Sequence, residues 1–189
     1  MSSHHVVREK QEPALLVLGL DGFDDELLGQ LLEWSPTVIT TQQTAERLHA
    51  NGIKIDWMIT SGSDDDLQSD VKLMSPGNDN LTDAALKYLV SYEYPAVNIV
   101  TDKLDLKDYE HFANQIDLVI FNNQHKIYPI NPGFRKWKPR DEIIELLSAA
   151  THLEHSGLKQ IKDHQYKTTA DGFFSLHFDE PFVFIAEEI

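Results

Sequence analysis

A polar loop after the third predicted strand carries the side chains best suited to metal chemistry. It contains the hydroxyls of Ser61 and Ser63 and three consecutive acids, Asp64, Asp65 and Asp66. Oxygen ligands, and carboxylates above all, are what Mg²⁺ prefers in proteins. A run of acids in a polar loop is also typical of solvated surface. The loop therefore predicts either a magnesium site formed by the three aspartates or a solvated segment.

A second polar cluster stands where a helix is expected to begin. Asn80 is a favourable N-cap residue, and Thr82 and Asp83 follow it directly before a run of apolar positions. A carboxylate in the first turn stabilises a helix through the positive helix end. Asp83 is therefore open to two interpretations, namely helix stabilisation and contact with a nucleotide or metal.

Other familiar site patterns do not occur in this sequence. His152 and His155 are three residues apart, but no third ligand stands at a spacing typical of zinc sites. No Gly-x-Ser-x-Gly segment occurs, and the glycines at 19 and 22 do not form a Gly-x-Gly-x-x-Gly segment. The chain has no cysteine, which excludes disulfides and thiolate chemistry.

Short apolar strands alternate with amphipathic helices along the part of the chain that carries these residues. Such alternation predicts an α/β fold with a doubly wound parallel sheet. The predicted strands lie at 14–18, 37–40, 55–60, 71–74, 96–100 and 118–121. The predicted helices lie near 24–32, 42–51, 80–89 and 109–114.

The sequence pattern changes at residues 129–133, because two prolines and a glycine occur within these five residues. Beyond this point the pattern predicts a helix near 141–150 and strands at 165–169, 172–178 and 182–186. We therefore expect a flexible tail at 1–12, an α/β domain at 13–130 and a small β-rich, sandwich-like domain at 131–189.

The net charge of the chain argues against some classes of binding partner. Its 31 acids and 16 Lys and Arg residues give a formal net charge of -15. A field of this sign repels nucleic acids and anionic membrane surfaces, so neither is an expected partner. No apolar run reaches the roughly 18 residues of a membrane span, and the simplest expected location is the cytoplasm.

Two segments in the first half resemble motifs of the thiamine pyrophosphokinase family. Residues 52–56 read Gly-Ile-Lys-Ile-Asp, close to the family's Gly-Ile-Lys-Pro-Asp, and residues 82–89 are similar to its Thr-Asp helix opening. The resemblance implies a two-domain α/β and β-rich fold, a homodimer that binds thiamine, and the use of ATP and Mg²⁺. The implied reaction converts ATP and thiamine to AMP and thiamine diphosphate.

The sequence departs from the family at several acids. Ser61 and Ser63 stand where the family has two aspartates, Asn80 stands where it has another, and residues 42–46 replace its Asp-Gly-Gly-Ala-Asn. Asp83 is the motif acid retained in place.

The resemblance assigns roles residue by residue. It implies a catalytic role for Asp83. A register shift of one to three residues in the same loop would also give Asp64 a catalytic role and would make Asp64, Asp65 and Asp66 the metal site. The resemblance implies ligand contacts by Asn80, Thr82, Asp83, Ser61, Ser63 and Ser175. Two hypotheses remain open: a divergent pyrophosphokinase, and a non-catalytic relative that binds a small ligand or acts as a dimeric interaction protein.

Overall fold

The computed structural model of the protein describes residues 12–62 and 70–189. The chain divides into two compact units, Met1–Leu118 and Val119–Ile189. The domain boundary predicted at residue 130 falls inside the second unit, and as a domain boundary it stays a prediction. No helix in the described residues is long and apolar enough to cross a membrane.

The first unit is built on a parallel sheet, which confirms that part of the fold prediction. Its strand order is β5-β1-β2-β3-β4, with β1 pairing in parallel with both β2 and β5. The strands are β1 (Ala14–Val17), β2 (Val38–Thr41), β3 (Trp57–Ile59), β4 (Lys72–Met74) and β5 (Ala96–Val100). All four residues of β1 are buried, as expected for an apolar strand covered on both faces.

The described residues of the first unit form four helices, of which the last follows β5, and three of the four begin at a side-chain N-cap. The helices are α1 (Asp25–Leu32), α2 (Gln42–Ala50), α3 (Leu81–Ser91) and α4 (Lys107–Glu110). Asp24, Thr41 and Asn80 each accept a hydrogen bond from an amide in the first turn, as N-caps do. The helix predicted near 109–114 begins earlier and ends sooner than expected.

The second unit consists of antiparallel strands in two sheets. In the first sheet these strands run in the order β6-β7-β14-β9-β12-β11, and the second has the order β8-β13-β10. Strand β6 starts in the first unit and continues into the second. The strands are β6 (Asp117–Asn122), β7 (His125–Ile130), β8 (Phe134–Lys138), β9 (Ile143–Leu146), β10 (Glu154–Ser156), β11 (Leu158–Lys162), β12 (Gln165–Thr168), β13 (Gly172–His177) and β14 (Val183–Glu188).

A single apolar core lies between the two sheets of the second unit. Ile144 and Ile185 of one sheet and Phe174 and Leu176 of the other belong to it, and all four are almost fully buried. This packing agrees with the predicted β-rich, sandwich-like region. Gly133, with φ +83°, turns the chain as it passes from β7 to β8, so the Pro and Gly segment marks a change of sheet.

The helix predicted near 141–150 is wrong. Residues 143–146 form β9, in which Ile144 and Leu146 are buried and Ile143 and Glu145 are half-buried. The apolar residues of this short segment fit the period of a helix as well as that of a strand. Pairing with β12 on one side and β14 on the other makes it a strand.

Candidate ligand-binding cleft

A cleft of about 440 Å³ opens at the carboxyl ends of β1, β2 and β5 in the first unit. After β4 the chain returns across the sheet and places β5 on the other side of β1. Ligands of open α/β sheets bind at such a reversal of strand order. The volume is within the roughly 300–1,000 Å³ typical of small-molecule sites.

Gly19 and Asp102 form one wall of the cleft, immediately after β1 and β5. A Cβ atom at residue 19 would lie 2.1 Å from Oδ2 of Asp102 and 2.9 Å from its backbone nitrogen. The amide of Gly19 also donates to the carbonyl of Val100 at 3.3 Å. Only glycine permits this approach, because any side chain would overlap both the carboxylate and the backbone of Asp102.

Five charged side chains line the cleft, three acidic and two basic. Asp21 follows β1, Arg47 lies on α2, Asp102 and Lys103 follow β5, and Asp108 lies on α4. Arg47 and Asp21 approach to 3.6 Å, although the Asp21 side chain is 94% exposed. The cleft therefore offers both carboxylates and cations, with one formal negative charge in excess.

Tyr109 lies beneath these charges and is 1% exposed. Burial raises its pKa to about 12, with a further contribution from Asp108, against hydrogen bonds with Thr101 and Thr82 that lower it. The phenol consequently stays protonated at neutral pH. Thr101 in turn donates to the carbonyl of Lys103 at 2.8 Å and so fixes the segment after β5.

Of the residues predicted at the start of α3, Thr82 lines the cleft. Asn80 accepts from the amide of Asp83 at 2.7 Å and donates to Oδ1 of Asp108 at 3.2 Å. Asn80 therefore caps the helix and positions a cleft acid. Asp83 is in the first turn and outside the cleft lining, where its carboxylate meets the positive helix end.

The other predicted site residues are distributed over the chain. Ser61 is exposed after β3. Ser175 is on β13 of the second unit, with its Oγ 2.7 Å from Oγ of Ser156. The predictions for Ser63, Asp64, Asp65 and Asp66 lie outside the described residues.

The donor set of the cleft does not fit a magnesium ion. Within residues 12–62 and 70–189, no three His, Cys, Asp or Glu side chains are close enough together to hold a metal. The three cleft acids come from separate segments and do not converge. We therefore derive no chemical step through a metal from the described residues.

Sequence reasoning missed the five charged residues of the cleft. Each lies at or just beyond the carboxyl end of a parallel strand, or on the helix that follows it, which is a recognisable position. What the sequence lacked was the order of the strands, and this order brings the ends of β1 and β5 together.

Comparisons with known proteins agree with this architecture. Thiamine pyrophosphokinase from Bacillus subtilis matches over 93% of this chain and 99% of its own, with a TM-score of 0.61 and 13% identity. The yeast enzyme matches over 97% and 88%, with a TM-score of 0.66 and 12% identity. A Lactobacillus plantarum protein matches over 94% and 99%, with a TM-score of 0.70 and 13% identity.

These matches show that the chain has the fold of the thiamine pyrophosphokinases. The resemblance drawn from its motifs is thereby confirmed at the level of the fold. No protein-family model matches the sequence, and no curated protein is detectably similar to it in sequence.

Proposed function

We propose that this chain is a thiamine pyrophosphokinase-like protein that binds a phosphate-bearing small molecule in the cleft and does not catalyse the family's pyrophosphoryl transfer. The observation that carries the proposal is the cleft at the reversal of strand order, lined by Arg47 and Lys103. Such a position, with cations beside backbone turns, suits the phosphate groups of a nucleotide or of thiamine diphosphate.

Two helix starts support a phosphate-bearing ligand. The first turns of α2 and α3 contribute Thr44 and Thr82 to the cleft lining. Helix N-termini carry partial positive charge and favour anionic groups. The excess acid of the cleft suits the positively charged part of the same ligand, such as the thiazolium of thiamine diphosphate.

Two replacements support binding without turnover. Gln43 and Thr44 line the cleft at positions where the family motif has glycines. Their side chains hinder the close backbone approach that the family's transfer reaction needs, but Arg47 and Lys103 remain in the lining to contact a bound phosphate. Ser61 and Ser63 stand where the family has acids, so two formal charges that would hold a metal are gone.

Calorimetry with Mg·ATP, thiamine and thiamine diphosphate in turn tests the binding. We expect thiamine diphosphate to bind more tightly than Mg·ATP, because the described residues of the cleft do not fit a magnesium ion. Lys103→Gln should weaken the binding of thiamine diphosphate by about tenfold, equivalent to about 1.4 kcal/mol. Lys107→Gln is the matched control, since Lys107 is exposed and outside the cleft lining. Equal affinity in both variants, or no heat with any ligand, would reject the cleft as the site.

An assay of thiamine diphosphate formation tests the absence of catalysis. We expect no product above background from ATP, Mg²⁺ and thiamine. The second candidate, a divergent pyrophosphokinase, rests on the acid run and predicts turnover that disappears in Asp64→Asn or Asp65→Asn. That result would replace the proposal by the enzyme hypothesis.

We propose further that the protein acts as a homodimer in the cytoplasm and that the β8 and β13 face contacts a second copy. Trp137 and Phe173 are paired across these strands and are 53% and 55% exposed. Arg135 lies 4.3 Å from the centre of the Phe173 ring. Sedimentation should detect a dimer that Trp137→Lys weakens, and a monomer at micromolar concentration contradicts this part of the proposal.

A further inference from the structure

Charged side chains cluster at one end of the sandwich in the second unit, whereas the rest of its core is apolar. Lys126 and Tyr128 extend from β7, Lys136 and Lys138 from β8, and Glu187 from β14. On β7 and β14 these residues alternate in phase with core residues such as Ile130 and Ile185, so they lie on the face that bears the core.

Glu187 is the centre of this lysine cluster, which consists of Lys126, Lys136 and Lys138. Its side chain is only 4% exposed. Lys136 donates to its two oxygens at 2.9 and 2.7 Å, and Tyr128 donates at 2.8 Å. Lys138 lies 3.3 Å away. The carboxylate is therefore surrounded by donors that have already taken up its oxygens.

Lys136 and Lys138 form ion pairs with Glu187, and Lys126 is the third lysine of the cluster. It stands opposite Glu187 in the register of β7 and β14. Among the described residues, however, its ammonium forms no ion pair within 4.0 Å. Burial lowers the pKa of Lys126, and the charges of Lys136 and Lys138 lower it further, against an opposing effect of Glu187. The ammonium is therefore partly removed from water and repelled by its neighbours.

The charge count of this region is positive. Three lysines stand against two carboxylates, those of Glu187 and of Glu142, which pairs with Lys138 at 3.4 Å. The excess is one positive charge in a chain whose net charge is -15. A partly buried excess cation gains most from an anion that accepts charge-assisted hydrogen bonds.

We propose that the lysine cluster is a binding site for a small oxyanion, a phosphate or a carboxylate, with Lys126 as its principal ligand-contacting residue. The oxyanion accepts hydrogen bonds from Lys126 and balances the excess charge. This site belongs to the second unit and does not depend on the function proposed for the cleft.

Calorimetry in low-salt chloride buffer with inorganic phosphate and with acetate tests the site. We expect phosphate or acetate to bind, and Lys126→Gln to raise the apparent Kd at least tenfold. Lys159→Gln is the matched control, because it removes the same charge from an exposed position on β11. Binding confined to phosphate identifies a phosphate group as the ligand, and binding confined to acetate identifies a carboxylate.

A second variant keeps the test decisive if Lys126→Gln folds poorly. Lys126→Arg retains the charge and should bind the preferred anion within about threefold of the wild type. The anion should also raise the Tm of the wild type and of Lys159→Gln, but not that of Lys126→Gln. Absence of binding to the wild type, or equal binding by Lys126→Gln and Lys159→Gln, overturns the proposal.

Discussion

The cleft of the first unit and the lysine cluster of the second both gather charged side chains, but they hold them in different ways. In the cleft, Arg47 and Asp21 are 3.6 Å apart and largely exposed. In the cluster, Glu187 is buried and contacts Lys136 at 2.7 Å. Exposed pairs contribute little to stability, whereas a buried charge that loses its partners is strongly destabilising.

The cleft side chains are therefore available to a ligand, whereas the buried carboxylate of Glu187 mainly stabilises the fold. Cleft side chains that are not committed to each other can contact a ligand without breaking existing bonds. The carboxylate of Glu187 is already committed, so its main effect is on folding. Lys126 is the exception within the cluster, because Glu187 has no free oxygen for it.

Removing the charge of Glu187 should produce the largest effect in the molecule. Glu187→Gln leaves Lys136 without a counter-charge and leaves Lys138 with Glu142 alone, and we expect a loss of about 3 kcal/mol in the free energy of unfolding. Urea denaturation measures this loss. Glu188→Gln, at the exposed neighbouring position, should change stability by less than about 0.5 kcal/mol.

The pH dependence of stability provides an independent check on Glu187. Burial alone would raise its pKa, but the hydrogen bonds from Lys136 and Tyr128 and the nearby charges reverse the direction, so the net pKa lies below the ordinary value. Its contribution is therefore present above the ordinary carboxyl pKa and is lost as pH falls through the folded value. If acid unfolding of Glu187→Gln parallels that of the wild type, this assignment is wrong.

The second largest effect is expected at Gly19, which lines the cleft of the first unit. Gly19→Ala forces Asp102 to move, backbone included, and should cost about 1–3 kcal/mol. Gly29→Ala is the control, because Gly29 is at an exposed position of α1 and the added Cβ would meet no atom within 4 Å beyond its own helix. That variant should gain up to about 1 kcal/mol. Equal thermal stability of the two variants would contradict the close approach of Asp102.

A smaller effect is expected at Asp83, which follows the cleft residue Thr82 in the chain but does not itself line the cleft. Asp83→Asn should cost about 0.3–1 kcal/mol through the lost interaction with the helix end. Ligand affinity should stay within tenfold of the wild type. Urea melts and calorimetry measure the two quantities separately, and a loss of affinity at unchanged stability would restore a functional role.

The smallest effect is expected from an exposed pair in the second unit. Nδ1 of His152 lies 2.5 Å from Oδ2 of Asp179, and this hydrogen bond raises the pKa of His152. The pair stabilises the fold below the ordinary histidine pKa and loses this effect as pH rises through the folded value. NMR titration should show a lower His152 pKa in Asp179→Asn and no change in His155→Gln.

The sequence predicted the parallel sheet because its strands are continuous apolar runs separated by helical patterns. It also located the start of α3, since an N-cap such as Asn80 acts within three residues of its own position. It missed β7 and β8, in which charged, aromatic and aliphatic residues are mixed, and it assigned a helix to the segment that contains β9. The spacing of apolar residues identifies a helix or a strand only where it fits one of the two periods and not the other.

Composition and local pattern are sufficient to predict which segments are apolar, where several helices begin and that the chain is strongly acidic. The folded chain, in contrast, shows which strand ends meet, and therefore that Asp21, Asp102 and Lys103 share a cleft. It also brings Tyr128 to Glu187, 59 residues away along the chain. The physical reason is that composition and periodicity act over a few residues. Strand order and burial depend on contacts between distant segments, which the whole fold selects together.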